Sequence, residues 1–140
     1  MNQIAKRKIL FLCIHNSSRS IMAEATVNHF LGERWQAYSA GNEPTAVNPL
    51  AIQALQELGI DARTAKSKHI NTFVNDQFDC VFTLCDEASE SCPVWLGNTR
   101  LEHISFADPA AAKGTFEERL NIFRKIRDQI KENILPMLSN

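Results

Sequence analysis

The sequence predicts an α/β fold of three layers, with a central, mainly four-stranded parallel sheet flanked by helices, in one domain over residues 1–140. Three observations predict it. Short apolar runs alternate with longer segments whose apolar residues recur at helical spacing, the pattern of strands joined by right-handed crossovers. The first run is apolar at consecutive positions, as a strand buried inside a parallel sheet must be. Cap and turn residues fall at the junctions.

Residues 8–13 form the first candidate strand. After the polar stretch from His15 to Arg19, Ser20 is placed to cap a helix reaching about Leu31, with Met22, Ala23, Val27 and Phe30 on its apolar face and Gly32 just past its end. Residues 35–40 form a second strand, stopped by Gly41. Asn48 and Pro49 open a second helix, with Leu50, Ile52, Ala54, Leu55 and Leu58 along it and Gly59 at its end. Residues 79–84 form a third strand and residues 101–106 a weaker fourth. From Thr115 a long amphipathic helix carries Phe116, Leu120, Ile122, Phe123, Ile126, Ile130, Ile134 and Leu135, and Pro136 is expected to help end it. Its charged face, including Arg119, Arg124, Lys125, Arg127 and Asp128, is expected to be solvated.

At 140 residues the chain can bury a core without a disulfide scaffold. A formal net charge of -1 gives no electrostatic reason to expect nucleic acid or an anionic membrane as partner. The apolar runs fall far short of a membrane span. The polar, basic residues 1–8 lead into no longer apolar region, so no signal peptide is expected. A cytoplasmic monomer with reduced thiols is the default. There, four cysteines point to redox chemistry, metal binding or plain packing.

In a parallel sheet, sites form beyond the carboxyl ends of the strands. Cys13, Cys85 and Asp108 all fall at such ends and are expected to converge. The segment Cys13-Ile14-His15-Asn16-Ser17-Ser18-Arg19-Ser20 joins a strand to a helix start. Backbone N–H groups curling into a helix N-terminus make a concave anion site, and Arg19 adds a planar fork matching two oxygens of a tetrahedral oxyanion. That positive field favours a nucleophilic thiolate at Cys13, and Ser20 can donate a hydrogen bond to its sulfur. Cysteine six positions before arginine is common by chance; the strand before, the helix after and the polar residues between give it weight. Asp108, restricted by Pro109, is placed to protonate a departing oxygen.

Cys80 lies inside an apolar run and reads as a core residue. Cys85 and Cys92 bracket a short acidic, serine-rich segment expected to be exposed and mobile. They could meet if that segment bends, and a row of thiols can pass electrons by successive exchange. Zinc is disfavoured: the spacing is not a Cys-x2-Cys pair and no histidine lies near in sequence, so no metal and no cofactor are expected.

Over nearly its whole length the sequence resembles the thioredoxin-coupled arsenate reductases, which share the low-molecular-weight protein tyrosine phosphatase fold. The resemblance rests on residues 9–13, Asn16 to Ser20, Met22-Ala23-Glu24, Tyr38 to Gly41, Asn48-Pro49, Val81 to Asp86, Cys92-Pro93 and Asp108-Pro109-Ala110. It implies arsenic detoxification by reduction of arsenate to arsenite, with phosphate or sulfate as substrate mimics. Cys13 would attack arsenate held by residues 14–20 and Arg19, and Asp108 would serve as acid. Cys85 and then Cys92 would take over the disulfide for thioredoxin to reduce. The shared loop chemistry would leave weak phosphatase activity.

Three departures stand out. His15 replaces a small residue, usually glycine, and would be strained if that position needs φ > 0. Ser18 stands where many relatives carry a further cysteine. Some members bind potassium near the loop; here Lys66 and Lys68 occupy the aligned positions, with Asn16 and Ser39 retained. No potassium site is expected, and a lysine ammonium, preferably that of Lys66, is expected in its place. The alternatives are a tyrosine or small-molecule phosphatase using Cys13, and a non-catalytic anion sensor. Ala110-Ala111-Ala112 after the Asp-Pro, where aryl-phosphate phosphatases carry aromatic residues, argues against the first.

Overall fold

The computed structural model describes residues 5–86, 90–97 and 99–139. Its sheet has four parallel strands in the order β2-β1-β3-β4: β1 (Arg7–Cys13), β2 (Trp35–Gly41), β3 (Cys80–Thr83) and β4 (Arg100–His103). The helices are α1 (Arg19–Phe30), α2 (Pro49–Gln56) and α3 (Phe116–Leu138). The order follows from right-handed crossovers: the chain starts in the middle, moves to one edge, then returns past β1 to the other.

β1 is central, paired with β2 from Arg7↔Trp35 to Cys13↔Gly41 and with β3 from Ile9↔Cys80 to Leu12↔Thr83. Ile9, Leu10, Phe11 and Leu12 are fully buried, which is why this run shows no polar alternation. Ile9 and Phe11 face one core with Cys80 and Phe82, where Met22 and Val27 of α1, Leu50 and Leu55 of α2, and Leu120, Phe123 and Ile130 of α3 pack. The Phe11 and Phe82 rings meet edge to face at 5.7 Å. Leu10, Leu12, Ala40 and Val81 face the opposite core. There the covering layer is a 3-10 turn, Ile70–Phe73, with Phe78 and Trp95. Trp95 thus packs on the sheet, 5.8 Å from Phe78.

Several boundaries differ from the sequence-based expectation, each for a physical reason. α1 begins at Arg19 after Ser18, so Ser20 lies inside the helix and caps nothing; its hydroxyl is committed to the loop described below. α3 runs through Pro136 to Leu138, because the buried Ile134 and Leu138 hold the last turn against the core. Its N-terminus is closed by a capping box between Thr115 and Glu118. Arg127, expected on a solvated face, is buried. It donates to the Ala54 carbonyl at 2.8 Å and to Glu57 at 3.0 Å, fastening α3 to α2. Asn48 caps α2 through the Leu50 N–H, and Gly59 takes positive φ just beyond the helix.

Candidate active site

Three carboxyl ends place the chemistry. Cys13 closes β1 and is buried, Cys85 follows β3, and Asp108 lies beyond β4. Leu84 N–H donates to the Leu12 carbonyl at 2.9 Å, so the β1 and β3 ends leave the sheet side by side. Cys13, His15, Ser17, Ser18, Arg19, Thr45, Asp108 and Ala110 line one cleft of about 160 Å³. A larger groove of about 710 Å³, lined by Glu24, Tyr38, Asp61, Lys66 and Lys68, contains no thiol; Cys13 lines the smaller cleft.

The loop between β1 and α1 is held from outside. The carbonyls of Ile14, His15 and Ser17 accept from the N–H groups of Glu43, Thr45 and Asn48 at 2.8, 3.2 and 3.0 Å, and that of Asn16 accepts from Ser67 Oγ at 2.6 Å. The residue with positive φ is Asn16 at 48°, not His15. Asparagine tolerates that region, and here its amide is fixed at both ends. Oδ1 accepts from Lys68 N–H at 2.8 Å and Nδ2 donates to Ser20 Oγ at 2.7 Å. Ser20 Oγ in turn lies 2.8 Å from Cys13 Sγ. Since Ser20 accepts from Asn16, its own proton is free to point at the Cys13 sulfur. His15 is exposed at the mouth, and the Ser18 hydroxyl is buried without a partner among the described residues.

Gly41 lets the loop approach β2. A Cβ there would overlap the Ile14 carbonyl and come within 2.9 Å of Asn16 N. Gly41→Ala should therefore lower stability by about 1–3 kcal/mol, measurable by urea unfolding, and weaken phosphate binding in parallel.

Arg19 is 3% exposed. Its Nη1 and Nη2 donate to the two carboxylate oxygens of Glu90 at 2.6 and 2.8 Å, and Nη1 also reaches the Phe106 carbonyl at 3.1 Å. Burial works against its charge, but the Glu90 bonds and the neighbouring Cys13 and Asp108 outweigh that, so its pKa is raised. Arg19 holds the Glu90 carboxyl below the usual carboxylate range. Asp108 accepts from Ala110 N–H at 3.0 Å through Oδ1, while Oδ2 lies 4.0 Å from Arg19 Nη2. One oxygen of Asp108 shapes the Asp-Pro turn and the other remains for chemistry in the cleft.

Cys85 and Cys92 are joined in a disulfide, their Cα atoms 5.8 Å apart. Cys85 is fully buried and Cys92 half-buried. Residues 87–89, within the stretch expected to be exposed and mobile, lie outside the described residues. Cys80 is buried in the core, where burial pushes its thiol up to about 11.

The ammonium near the loop belongs to Lys68 rather than Lys66. Lys68 Nζ donates to the Lys66 carbonyl at 2.8 Å and lies 3.7 Å from the Glu24 carboxylate, which also accepts from Ser39. Burial raises the Glu24 pKa; Lys68 and Ser39 oppose it. A fixed cation beside these oxygens does not fit a bound potassium ion. Exchanging potassium for sodium should leave the melting temperature unchanged, since only an ion bound to the native state raises it, and should alter turnover by less than about twofold. A large potassium-specific gain would reject this reading. Among the described residues, no three His, Cys, Asp or Glu side chains group to hold a metal ion. The sequence alone did not single out Glu90 or Ser67, and it read Gly41 as a strand end rather than as a residue the loop approaches; their contacts span distant parts of the chain.

A thiol at the end of a parallel strand, a loop wound into a helix N-terminus and an arginine fork are the parts from which a cysteine-based oxyanion site can be built. The chain belongs to the low molecular weight phosphotyrosine protein phosphatase family, whose sequence profile matches residues 8–139. Within that family it is 42% identical over 131 residues to an arsenate reductase of Shouchella clausii, covering 94% of each chain. Its fold superposes on the arsenate reductase of Archaeoglobus fulgidus with a TM-score of 0.79 at 29% identity, over 94% of this chain and 99% of that one. A thioredoxin-dependent arsenate reductase of Corynebacterium glutamicum gives a TM-score of 0.68 at 26% identity, over 96% of this chain and 64% of that one.

Proposed function

We propose that this protein reduces arsenate to arsenite through a thiol–arsenic adduct and a three-cysteine relay regenerated by thioredoxin, serving arsenic detoxification. The observation that carries the reading is the Cys85–Cys92 disulfide directly beyond β3, the strand hydrogen-bonded to the one that ends in Cys13. A phosphatase needs one thiol; a relay needs acceptors for the oxidation.

Arsenate enters the cleft onto the N–H groups of residues 14–20 and the Arg19 fork. The Cys13 thiolate attacks arsenic, a sulfur–arsenic bond forms, and an arsenic–oxygen bond breaks as Asp108 gives the leaving oxygen a proton. Cys85 thiolate then attacks the Cys13 sulfur. The sulfur–arsenic electron pair stays on arsenic, which leaves as arsenite, reduced by two electrons, while Cys13 and Cys85 become a disulfide. Cys92 thiolate attacks Cys85 and frees Cys13 as thiolate. In the resulting Cys85–Cys92 bond only Cys92 is accessible, so a thioredoxin thiolate attacks there and Cys85 leaves. The setting is the cytoplasm, where thiols are kept reduced, and the protein acts as a monomer.

The test is arsenate-dependent NADPH consumption with thioredoxin and thioredoxin reductase, run beside glutathione and glutaredoxin. Turnover with the thioredoxin pair is expected. Turnover with glutaredoxin alone would put the donor elsewhere, and none with either would remove the reductase reading.

A further inference from the structure

The reaction above makes no use of Glu90, yet Glu90 holds the group on which the substrate depends. It lies between Cys85 and Cys92, and its carboxylate meets Arg19 side-on, one oxygen to each terminal nitrogen at 2.6 and 2.8 Å. The pair is enclosed: the Arg19 side chain is 3% exposed and that of Glu90 16%. The carboxylate is anchored from behind as well. Glu90 Oε2 accepts from Asp86 N–H at 2.7 Å, and Glu90 N–H donates to the Asp86 carbonyl at 2.9 Å. Asp86 follows Cys85 and Glu90 precedes Cys92 by two positions, so the carboxylate that meets Arg19 lies in sequence between the two bonded cysteines.

A carboxylate offers the same planar pair of oxygens that a tetrahedral oxyanion offers to guanidinium. Arg19 cannot give both nitrogens to both partners. The Arg19 charge is shared further: Asp108 lies 4.0 Å from it, and the Cys13 sulfur is another electrostatic neighbour. An arriving oxyanion must displace Glu90.

We propose that Glu90 is an internal oxyanion mimic: when Cys85 and Cys92 are joined, its carboxylate takes the Arg19 fork and excludes arsenate and phosphate from the cleft. The inference rests on the proposed role of Arg19 as oxyanion ligand. It gives the cycle a direction. The oxidised protein does not rebind substrate or fill with phosphate before its disulfide is reduced, and reduction releases Glu90 and reopens the site. By reciprocity, an oxyanion bound to the reduced form makes the disulfide easier to reduce by the same factor.

The experiment titrates inorganic phosphate, by calorimetry, into the fully reduced protein and into the Cys85–Cys92 species. The latter is prepared with a mild thiol oxidant and selected by peptide mapping. Wild-type protein should bind phosphate at least about tenfold more weakly when oxidised, within the usual range of coupling between sites. Glu90→Gln and Glu90→Ala should bring the oxidised form to within about twofold of the reduced one. Their melting temperatures check that both variants fold. A second measurement needs no variant: saturating phosphate should raise the disulfide's reduction potential by about 30 mV per tenfold of coupling. Equal phosphate affinity in the two redox states of the wild type would overturn the proposal, as would oxidised Glu90 variants that stay as weak as wild type. Reduced protein that binds no phosphate, or that binds it undiminished after Arg19→Lys, would instead remove the reading of Arg19 on which the proposal stands.

Discussion

Cys92→Ser protein should release about one arsenite per molecule and then stop, even with thioredoxin and thioredoxin reductase in excess. The variant retains Cys13, Arg19 and Asp108, so the adduct forms and Cys85 can collapse it. The oxidation then remains in a Cys13–Cys85 disulfide. Cys85 is fully buried and Cys13 almost so, which leaves thioredoxin no sulfur to attack in line. In the proposed relay Cys92 moves the bond to its own half-buried sulfur. A burst of arsenite followed by no turnover, with a Cys13–Cys85 linked peptide, is the expected result. Normal cycling of the variant would show that the third thiol is dispensable.

Arg19→Lys should lower kcat/KM for arsenate by about 10²–10³-fold, the usual cost of removing one preorganised donor from an oxyanion site. Charge is kept; the fork is lost. A lysine ammonium is a single point of positive charge and cannot present two parallel N–H groups to two oxygens. In this protein the shortfall is compounded, because Arg19 also donates to the Phe106 carbonyl at 3.1 Å, which anchors the guanidinium beneath the Asp108 turn. Steady-state kinetics with saturating thioredoxin measure the effect. A loss of less than about fivefold would mean that the loop amides carry the oxyanion without the fork.

Much of the fold was legible in the sequence because it rests on local signals. The unbroken apolar run from Ile9 to Leu12 marks a central parallel strand. Asn48 with Pro49 marks a helix start, and the spacing from Leu120 to Ile134 marks a buried helical face. Cys13 and Arg19 were legible for the same reason: one strand end and one helix start fix both. What could not be read depends on partners far away in the chain. Arg127 looks like one more charge on a solvated face until Glu57 and the Ala54 carbonyl meet it 70 and 73 residues away. The choice between Lys66 and Lys68 turns on a loop without periodicity, and only the position of Glu24 decides it. Whether the His15 position needs positive φ could not be read locally; the positive φ falls on Asn16, whose amide bridges Lys68 N–H and the Ser20 hydroxyl, partners 52 and 4 residues away. Glu90 was invisible as a site residue, since its pairing with Arg19 spans 71 residues.

Disulfide mapping after a single stoichiometric pulse of arsenate tests the relay most directly. Fully reduced protein is mixed with arsenate without thioredoxin, quenched with a thiol-blocking reagent, digested and analysed by mass spectrometry, with arsenite measured in parallel. The account predicts arsenite equal to the protein present, a Cys85–Cys92 linked peptide, and Cys13 and Cys80 recovered as free thiols. Four blocked thiols with no arsenite would contradict it, and so would arsenite formed while Cys85 and Cys92 both remain reduced.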